Sequence, residues 1–383
     1  MTRKLRITHF GKFYPPEFGG IESVTAALAQ DHAGAGHHIN IICFTTGASR
    51  TTSDGSLRIT RRRILANLAS QPISLGYLVQ ALTQGRKADI VHVHAPNILA
   101  SLAALLMPRR VKLLIHWHAD ISGKGSLGAL ARPIEKLLLW RADVIVCTSQ
   151  RYADSSPALK PFRSKIRIIP IGIPNVSNET AENPPENLPF DWMLKRPIIL
   201  AVGRLVRYKG FFVLLEAMSK IDVDTTLVIV GVGPLHKQLM EKIEQLNLAN
   251  RVWLLGRQST GNLTSMFAHS DLFCLPSVDR AEAFGVVLLE AMRAGLPVVA
   301  TDIPGSGVGW VNKHCVSGEN VTPNDVDQLS ETLEKLLKCP ELRSNYSRKA
   351  RLRFEQAFIQ NKMTSSFLEE YSTLIVPFQR EAG

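Results

Sequence analysis

The chain has 383 residues, 45% apolar and 20% charged, with a net charge of +12. That is length for two domains with full cores, and it excludes a disordered or collagen-like chain. Five scattered cysteines without a CxxC pair exclude a disulfide scaffold and a zinc ribbon and fit a reducing cytosol.

In chain order, LRITHF (5–10) reads as a strand, and GKFYPPEFGG (11–20) as a loop. A helix follows over 21–32, then strands HINIICF (38–44) and LRITRRR (57–63), and a helix over 73–84. DIVHVH (89–94), KLLIHWH (112–118), DVIVCTS (143–149) and KIRIIP (165–170) are four more strands, with helices at 97–107 and 126–141. Val- and Ile-rich runs without strict alternation indicate strands buried on both faces, as in a parallel sheet. Residues 173–196 have no periodicity and carry four prolines, so they read as an interdomain linker. The alternation then repeats: PIILAVG (197–203), helix 210–220, TLVIVG (226–231), helix 234–246, RVWLLG (251–256), helix 260–268, DLFCLP (271–276), an apolar helix from FGVVLLEAMRAG, and PVVAT (297–301). Helices over 325–374 close the chain. Two rounds of strand and helix predict an α/β protein of two doubly wound, Rossmann-like domains facing a cleft. The expected boundaries are 1–172, linker 173–196 and 197–357, with the segment from about 358 to 383 packing back on the first domain.

Lys4 and Arg6 lead into a strand rather than an apolar leader core, so no secretory leader is expected. The longest apolar run, 98–107, falls well short of the ~20 residues of a spanning helix. Residues 1–180 hold 23 Lys/Arg against 10 Asp/Glu, whereas 181–383 hold 22 against 23. The first half therefore carries all the excess positive charge. With no helix-turn-helix, zinc-finger or RNP pattern, nucleic acid is not the expected partner. An anionic membrane face is, reached through Arg61, Arg62 and Arg63 and through a helix carrying Arg132, Lys136 and Arg141 beside Leu127, Leu130, Leu137, Leu138 and Leu139.

The residues with chemical potential fall at the C-terminal ends of predicted strands, where open α/β sheets bind ligands. In EAFGVVLLE (282–290), Glu282 and Gly285 stand at a helix N-terminus, which favours an anion. Glu290 lies two turns in on an apolar helix and needs a partner there; two sugar hydroxyls would serve. Arg204 and Lys209 in GRLVRYKG are two cations between a strand and a helix, suited to a diphosphate or simply to solvent. GVGP (231–234) is the same kind of loop. In HWHAD (116–120), His116 and His118 share one side of a strand with Asp120 beyond. That set reads as a polar group for a sugar, as structural histidines or, with one ligand too few, as a metal site. No Walker A, HExxH, GxSxG or GxGxxG motif is present.

These residues resemble the retaining GT-B glycosyltransferases of family 4, the glycosyl transferases group 1. The resemblance spans nearly the whole chain and is strongest from 198 to about 323: GRL…K at 203–209, GxGP at 231–234, and E-x-F-G…E with EAMRAGLPVVAT. FYPPEFGGIE and TSQRY (148–152) resemble the family's N-terminal segments. The resemblance implies that Arg204 and Lys209 neutralise the diphosphate of a nucleotide-sugar, helped by backbone N–H groups of Phe284, Gly285 and Val286. It implies Glu290 on the ribose, Glu282 on sugar hydroxyls, His118 beside the anomeric carbon, and Gly19 and Gly20 at close approach to donor and acceptor. It implies no metal and no other cofactor. DIPGSGVGWVNKHC (302–315) departs from the family's Gly-Gly segment with an acidic residue, and Trp310 stands where a smaller or charged side chain is common. GVGWVN with SGENVTPND resembles enzymes of bacterial O-antigen and capsule assembly, which implies GDP-mannose as donor, a lipid-linked or oligosaccharide acceptor, and a cytoplasmic enzyme on the inner face of the plasma membrane. A UDP-sugar donor, a non-catalytic nucleotide-sugar-binding protein, and an epimerase or phosphorylase on the same fold are the competing readings.

Overall fold

The computed structural model describes residues 3–17, 19–68, 71–120, 125–176, 183–186, 188, 192 and 197–375. The chain divides into two units: Met1–Gly172 with Gln360–Gly383, and Ile173–Ile359.

Unit 1 is built on an eight-stranded sheet. Its strands are β1 (Arg6–Phe10), β2 (His38–Thr45), β3 (Arg50–Asp54) and β4 (Leu57–Arg63), then, past a small hairpin of β5 (Ala66–Leu68) and β6 (Gln71–Ile73), β7 (Ile90–Ala95), β8 (Lys112–Trp117), β9 (Val144–Cys147) and β10 (Ile166–Ile168). The order is β10-β9-β8-β7-β1-β2-β4-β3, parallel except for edge strand β3. The crossovers are α1 (Gly20–Gly34), α2 (Leu75–Gly85), α3 (Ile98–Leu105), α4 (Gly125–Arg141) and α5 (Gln150–Ser155). Side-chain caps start three of them: Ser74 accepts from the Tyr77 N–H, Asn97 from Ala100, and Ser149 from Tyr152. The Ser74 cap explains why α2 begins at Leu75 rather than at Ile73, which instead belongs to β6. β1 has β2 on one side and β7 on the other, so the chain reverses direction of sheet growth at that pair.

Unit 2 has six parallel strands: β11 (Ile198–Val202), β12 (Thr226–Val230), β13 (Val252–Leu254), β14 (Leu272–Leu275), β15 (Val298–Thr301) and β16 (Gly318–Val321). Their order, β13-β12-β11-β14-β15-β16, is that of a doubly wound nucleotide-binding sheet with its switch point between β11 and β14. Helices α6 (Phe211–Met218), α7 (His236–Gln245), α8 (Thr260–Ala268), α9 (Val286–Arg293), α10 (Val308–Val311), α11 (Val326–Lys338) and α12 (Pro340–Ala357) cover it. Leu214, Leu215, Leu239, Ile243, Leu333 and Leu336 close one face over Ile199, Leu227 and Ile229; burying each such side chain contributes about 1.5–3 kcal/mol.

Much of the expected linker, 177–182, 187, 189–191 and 193–196, lies outside the described residues. The described part packs on unit 2: Trp192 is buried and donates from Nε1 to the His269 carbonyl at 3.1 Å. The last helix, α13 (Gln360–Ile375), belongs to unit 1, where His32 Nε2 meets the Thr364 carbonyl at 2.9 Å. Residues 376–383 are also outside the described set. No described helix is long and apolar enough to cross a membrane.

Candidate active site

Unit 2 brings the expected residues together at its switch point. After β11 the chain makes a short helical turn, Arg207–Lys209, and Gly210 follows at φ +69. After β14 it runs Pro276–Ser277 and on toward Glu282. Gly210 packs against the Pro276 carbonyl so closely that no side chain fits, and the Val278 N–H donates to the Tyr208 carbonyl at 2.8 Å. The two loops are thus tied at two points. Between them Lys209 Nζ and Glu282 Oε2 form an ion pair at 2.5 Å, both side chains about nine-tenths buried. Ser277 Oγ donates to the same carboxylate oxygen at 3.1 Å. The Glu282 backbone is held in turn: its carbonyl accepts from Ser306 Oγ, and the Ala283 carbonyl from the Gly307 N–H at 2.8 Å. Arg204 is exposed, and its Nη2 donates to the Tyr208 hydroxyl at 3.3 Å. Gly285, at φ +79, caps α9, with Phe284 buried before it and Val286 as first helical residue. The first turn of α9, whose N–H groups lack intrahelical partners, begins four residues after Glu282.

Glu290 lies on α9 beside the buried Leu288, Leu289, Ala291 and Met292. Its partly buried carboxylate has no hydrogen bond among the described residues. Burial pushes its pKa up to about 7, with Arg293 only partly offsetting. A folded pKa above the unfolded value means the native state holds this proton more tightly. The contribution is present below about pH 4.5 and is lost as pH rises through about 7. Glu290→Gln should therefore raise the thermal midpoint above wild type at pH 8 and leave it nearly unchanged at pH 4.5. Parallel melting curves at the two pH values would rule this environment out.

In unit 1, Gly19 caps α1 and Gly20 is its first residue; both are exposed. Phe18 of the FGG run lies outside the described residues. His118, just past β8, is buried, and desolvation lowers its pKa to about 3, so it is neutral near pH 7. His116 and His118 do share a side, stacked with centroids 3.9 Å apart. Asp120 does not join them. Its Oδ1 accepts from Trp117 Nε1 at 2.9 Å and from Ser156 Oγ at 2.6 Å. Instead, three histidines that the sequence reading passed over, His9, His92 and His94, line the same place. Two groups, His9–His92–His94 and His94–His116–His118, each place three ring nitrogens within 4.8 Å of one another. The signal was present: in IVHVHA, His92 and His94 stand two apart, on one face of a strand.

The basic surface differs from expectation in two residues. Arg61 is buried and donates from Nη2 to the Pro15 carbonyl at 2.7 Å. Arg141 is buried against the Val111 carbonyl at 3.1 Å and pairs with Asp143 at 3.4 Å. Both guanidiniums satisfy backbone oxygens inside unit 1 and are not free for a membrane. Leu138 and Leu139 face the core, whereas Arg132, Lys136, Leu137 and Trp140 are exposed. The side chains of Leu127 and Leu130 lie outside the described set.

A cation–carboxylate pair and an open helix N-terminus at the switch point of a six-stranded parallel sheet suit a ligand with both phosphate and hydroxyl groups. The comparisons agree with that geometry. Residues 188–353 match the model for "Glycosyl transferases group 1", and 19–172 that for "Glycosyl transferase 4-like domain". The chain is 29% identical to the O-antigen chain mannosyltransferase C of Escherichia coli, over 97% of this chain and 99% of that one. It is also 29% identical to the D-rhamnosyltransferase WbpZ of Pseudomonas aeruginosa, over 92% of each. Among solved structures, the sucrose-phosphate synthase of Thermosynechococcus elongatus superposes with a TM-score of 0.77 at 20% identity, covering 97% of this chain and 99% of that one. With both halves matched and the sheet orders in place, the chain belongs to the glycosyl transferases group 1 family, as a glycosyltransferase of GT-B architecture.

Proposed function

We propose that this glycosyltransferase transfers mannose from GDP-mannose, with retention of configuration, to a lipid-linked or oligosaccharide acceptor in bacterial surface polysaccharide synthesis. The observation that carries the site is the Lys209–Glu282 pair beside the α9 N-terminus. The two relatives aligned over nearly their full length, a mannosyl- and a rhamnosyltransferase, support a hexosyl donor. In this reading the donor diphosphate takes Lys209 from Glu282, with Arg204 and the N–H groups of Phe284, Gly285 and Val286 completing its cradle. Glu282 is then free to accept from sugar hydroxyls. His118 contacts the reacting sugar, and Gly19 and Gly20 keep the approach open. The bond from the anomeric carbon to the phosphate oxygen breaks, and the bond to the acceptor oxygen forms on the same face. The acceptor proton leaves on the departing phosphate oxygen, so the products are a glycosylated acceptor and a nucleoside diphosphate. Stabilising that leaving group is the main catalytic task, and no resident metal or other cofactor takes part.

A panel of nucleotide-sugars with nucleotide release as readout tests this reading. GDP-mannose should be consumed and GDP, not UDP, should raise the melting temperature. Consumption of a UDP-sugar alone would move the donor, and binding without turnover of any donor would make the protein a binder. Glu290 takes the ribose: Glu290→Ala should weaken GDP binding by about 1.5–3 kcal/mol, the value of a hydrogen bond to a charged group. Equal affinity by calorimetry would remove that role.

We infer that the acceptor is met at the cytoplasmic membrane face. Exposed Leu65, Leu68, Ile73, Leu75 and Val79 follow Arg62 and Arg63 at the C-terminal end of β4, the same sheet end as the 11–20 loop and His118. An apolar patch beside cations suits an anionic leaflet. Anionic vesicles should sediment the protein at low salt and release it near about 0.5 M, where screening is short-ranged. Undiminished sedimentation by a variant with Leu65, Leu68 and Leu75 changed to Ser and Arg62 and Arg63 to Gln would discard this surface.

A further inference from the structure

Three histidines of unit 1, His9 on β1, His94 on the neighbouring β7 and His118 one residue past the next strand, β8, form one hydrogen-bonded line. His9 Nδ1 lies 3.1 Å from His94 Nε2, and His94 Nδ1 lies 3.1 Å from His118 Nε2. In both pairs the ring centroids are 5.4 Å apart, with interplanar angles of 23° and 13°. A centroid distance so much longer than the N···N distance leaves one ring radius on each side. The nitrogens therefore point at each other in the ring planes, and the rings do not stack. His92 lies face-on over the line, 4.6 Å from His9 and 4.4 Å from His94, and is itself held by Tyr371, whose hydroxyl is 2.6 Å from its Nδ1. A metal ion needs lone pairs that converge on one point; here both nitrogens of His94 are already engaged along the line.

Burial keeps the line uncharged. Desolvation lowers His9 and His118 to about 3 and His94 well below its usual value. A neutral imidazole has one N–H and one bare nitrogen. Along a head-to-tail line all N–H groups must then point the same way, so only two arrangements exist. The far end decides between them, because His9 Nε2 is buried with no partner among the described residues. If the donors pointed toward His9, an N–H would be stranded there. If they point toward His118, only a lone pair is left bare. Stranded buried donors are the rarer fault. Thr25 does not alter the choice: its hydroxyl donates to the Ile21 carbonyl at 2.8 Å and lies 3.4 Å from both nitrogens of His94. The dead end at His9 also means that the line is no proton channel.

We infer that His94 and His9 are positioning residues that hold His118 as its Nδ1–H tautomer, so that His118 meets the reacting sugar or its departing phosphate as a fixed hydrogen-bond donor. This rests on the proposed contact of His118 with the sugar. Its Nε2 accepts from His94, so His118 has no free nitrogen with which to take a proton from the acceptor, and it does not act as a general base.

The test is nitrogen NMR of the full chain labelled with ¹⁵N-histidine, with the His118 signals assigned by their loss in His118→Asn. The wild type should show His118 protonated at Nδ1 and bare at Nε2. Two variants separate the line from mere packing. In His94→Asn the amide nitrogen takes the place of Nδ1 and keeps the donor to His118, so the tautomer and kcat should stay within several-fold of wild type. In His94→Leu the donor is gone; the tautomer should become mixed and kcat should fall about 10–100-fold with little change in KM for the donor. An Nε2–H tautomer in the wild type overturns the inference, as does equal kcat for the two His94 variants or a stoichiometric transition metal in the purified protein. If His94→Leu does not fold, the wild-type spectrum alone decides. A normal kcat in His118→Asn with the Nδ1–H spectrum intact would instead overturn the role of His118 in catalysis and leave the line standing.

Discussion

Lys209→Met should lower kcat by at least about 100-fold, the scale of removing one electrostatic contact from a charged transition state. It should also lower stability, because Lys209 and Glu282 are paired at 2.5 Å and nearly buried. Removing one partner leaves a carboxylate with Ser277 as its remaining donor in the pair's surroundings, a loss of about 3–5 kcal/mol. The two effects separate in the double variant Lys209→Met, Glu282→Leu, which removes both charges. Stability should return most of the way, since a buried pair is often no better than a well-packed apolar one, and turnover should not. Arg204→Ala separates the two effects as well: Arg204 is exposed and, among the described residues, hydrogen-bonds to Tyr208 alone, so activity should drop without a shift in the unfolding midpoint. Wild-type turnover in both Lys209→Met and Arg204→Ala would end the assignment of a diphosphate to this loop.

The second large effect is expected at Gly210. The residue sits in the left-handed region at φ +69, and a methyl group there would collide with the Pro276 carbonyl oxygen. Left-handed backbone costs a non-glycine residue about 1–3 kcal/mol by itself. The collision adds a backbone shift, because a carbonyl cannot rotate away as a side-chain tip can. The loops that must part carry Lys209 on one side and Ser277 on the other. Gly210→Ala should therefore lower the unfolding midpoint and reduce kcat at least tenfold, with the loss in kcat exceeding that in KM. Gly261 is the control: it lies in α8 with open space around it and no positive φ. Gly261→Ala should stabilise slightly, by about 0.4–1 kcal/mol. A Gly210→Ala enzyme with normal kcat would mean that the two loops are not clamped as described.

The strands that build both sheets were legible because they are apolar on both faces; β7 and β12 are buried end to end. Those that went unread lack that signal. β3 (RTTSD) is exposed throughout and exists by pairing with β4. β16 (GENV) has one large apolar residue and is placed by β15. In the site, Lys209 and Glu282 were each legible from loop position, but their pairing depends on the packing of Gly210 on Pro276 and belongs to tertiary structure. Arg61 and Arg141 were misread for a related reason: a cation among basic neighbours looks solvated until the carbonyls it satisfies are in place. His92 and His94 stood in plain alternation, but a histidine line needs three strands, and no single window of sequence contains it.

The return of α13 to unit 1 bears on how the protein is made. Phe367 and Tyr371 of α13 pack against His92 and His116 in the core of unit 1, yet they emerge from the ribosome after all of unit 2. The unit encoded first thus cannot close its core until the last segment has been synthesised, while unit 2, continuous in sequence from Ile173 to Ile359, can. Folding on the ribosome then finishes in the order opposite to synthesis, and nascent unit 1 waits with the apolar surroundings of its histidines uncovered. A chain cut short at the boundary between Ile359 and α13 would carry a complete unit 2 and an unfinished unit 1, a form that chaperones and proteases recognise by its exposed core.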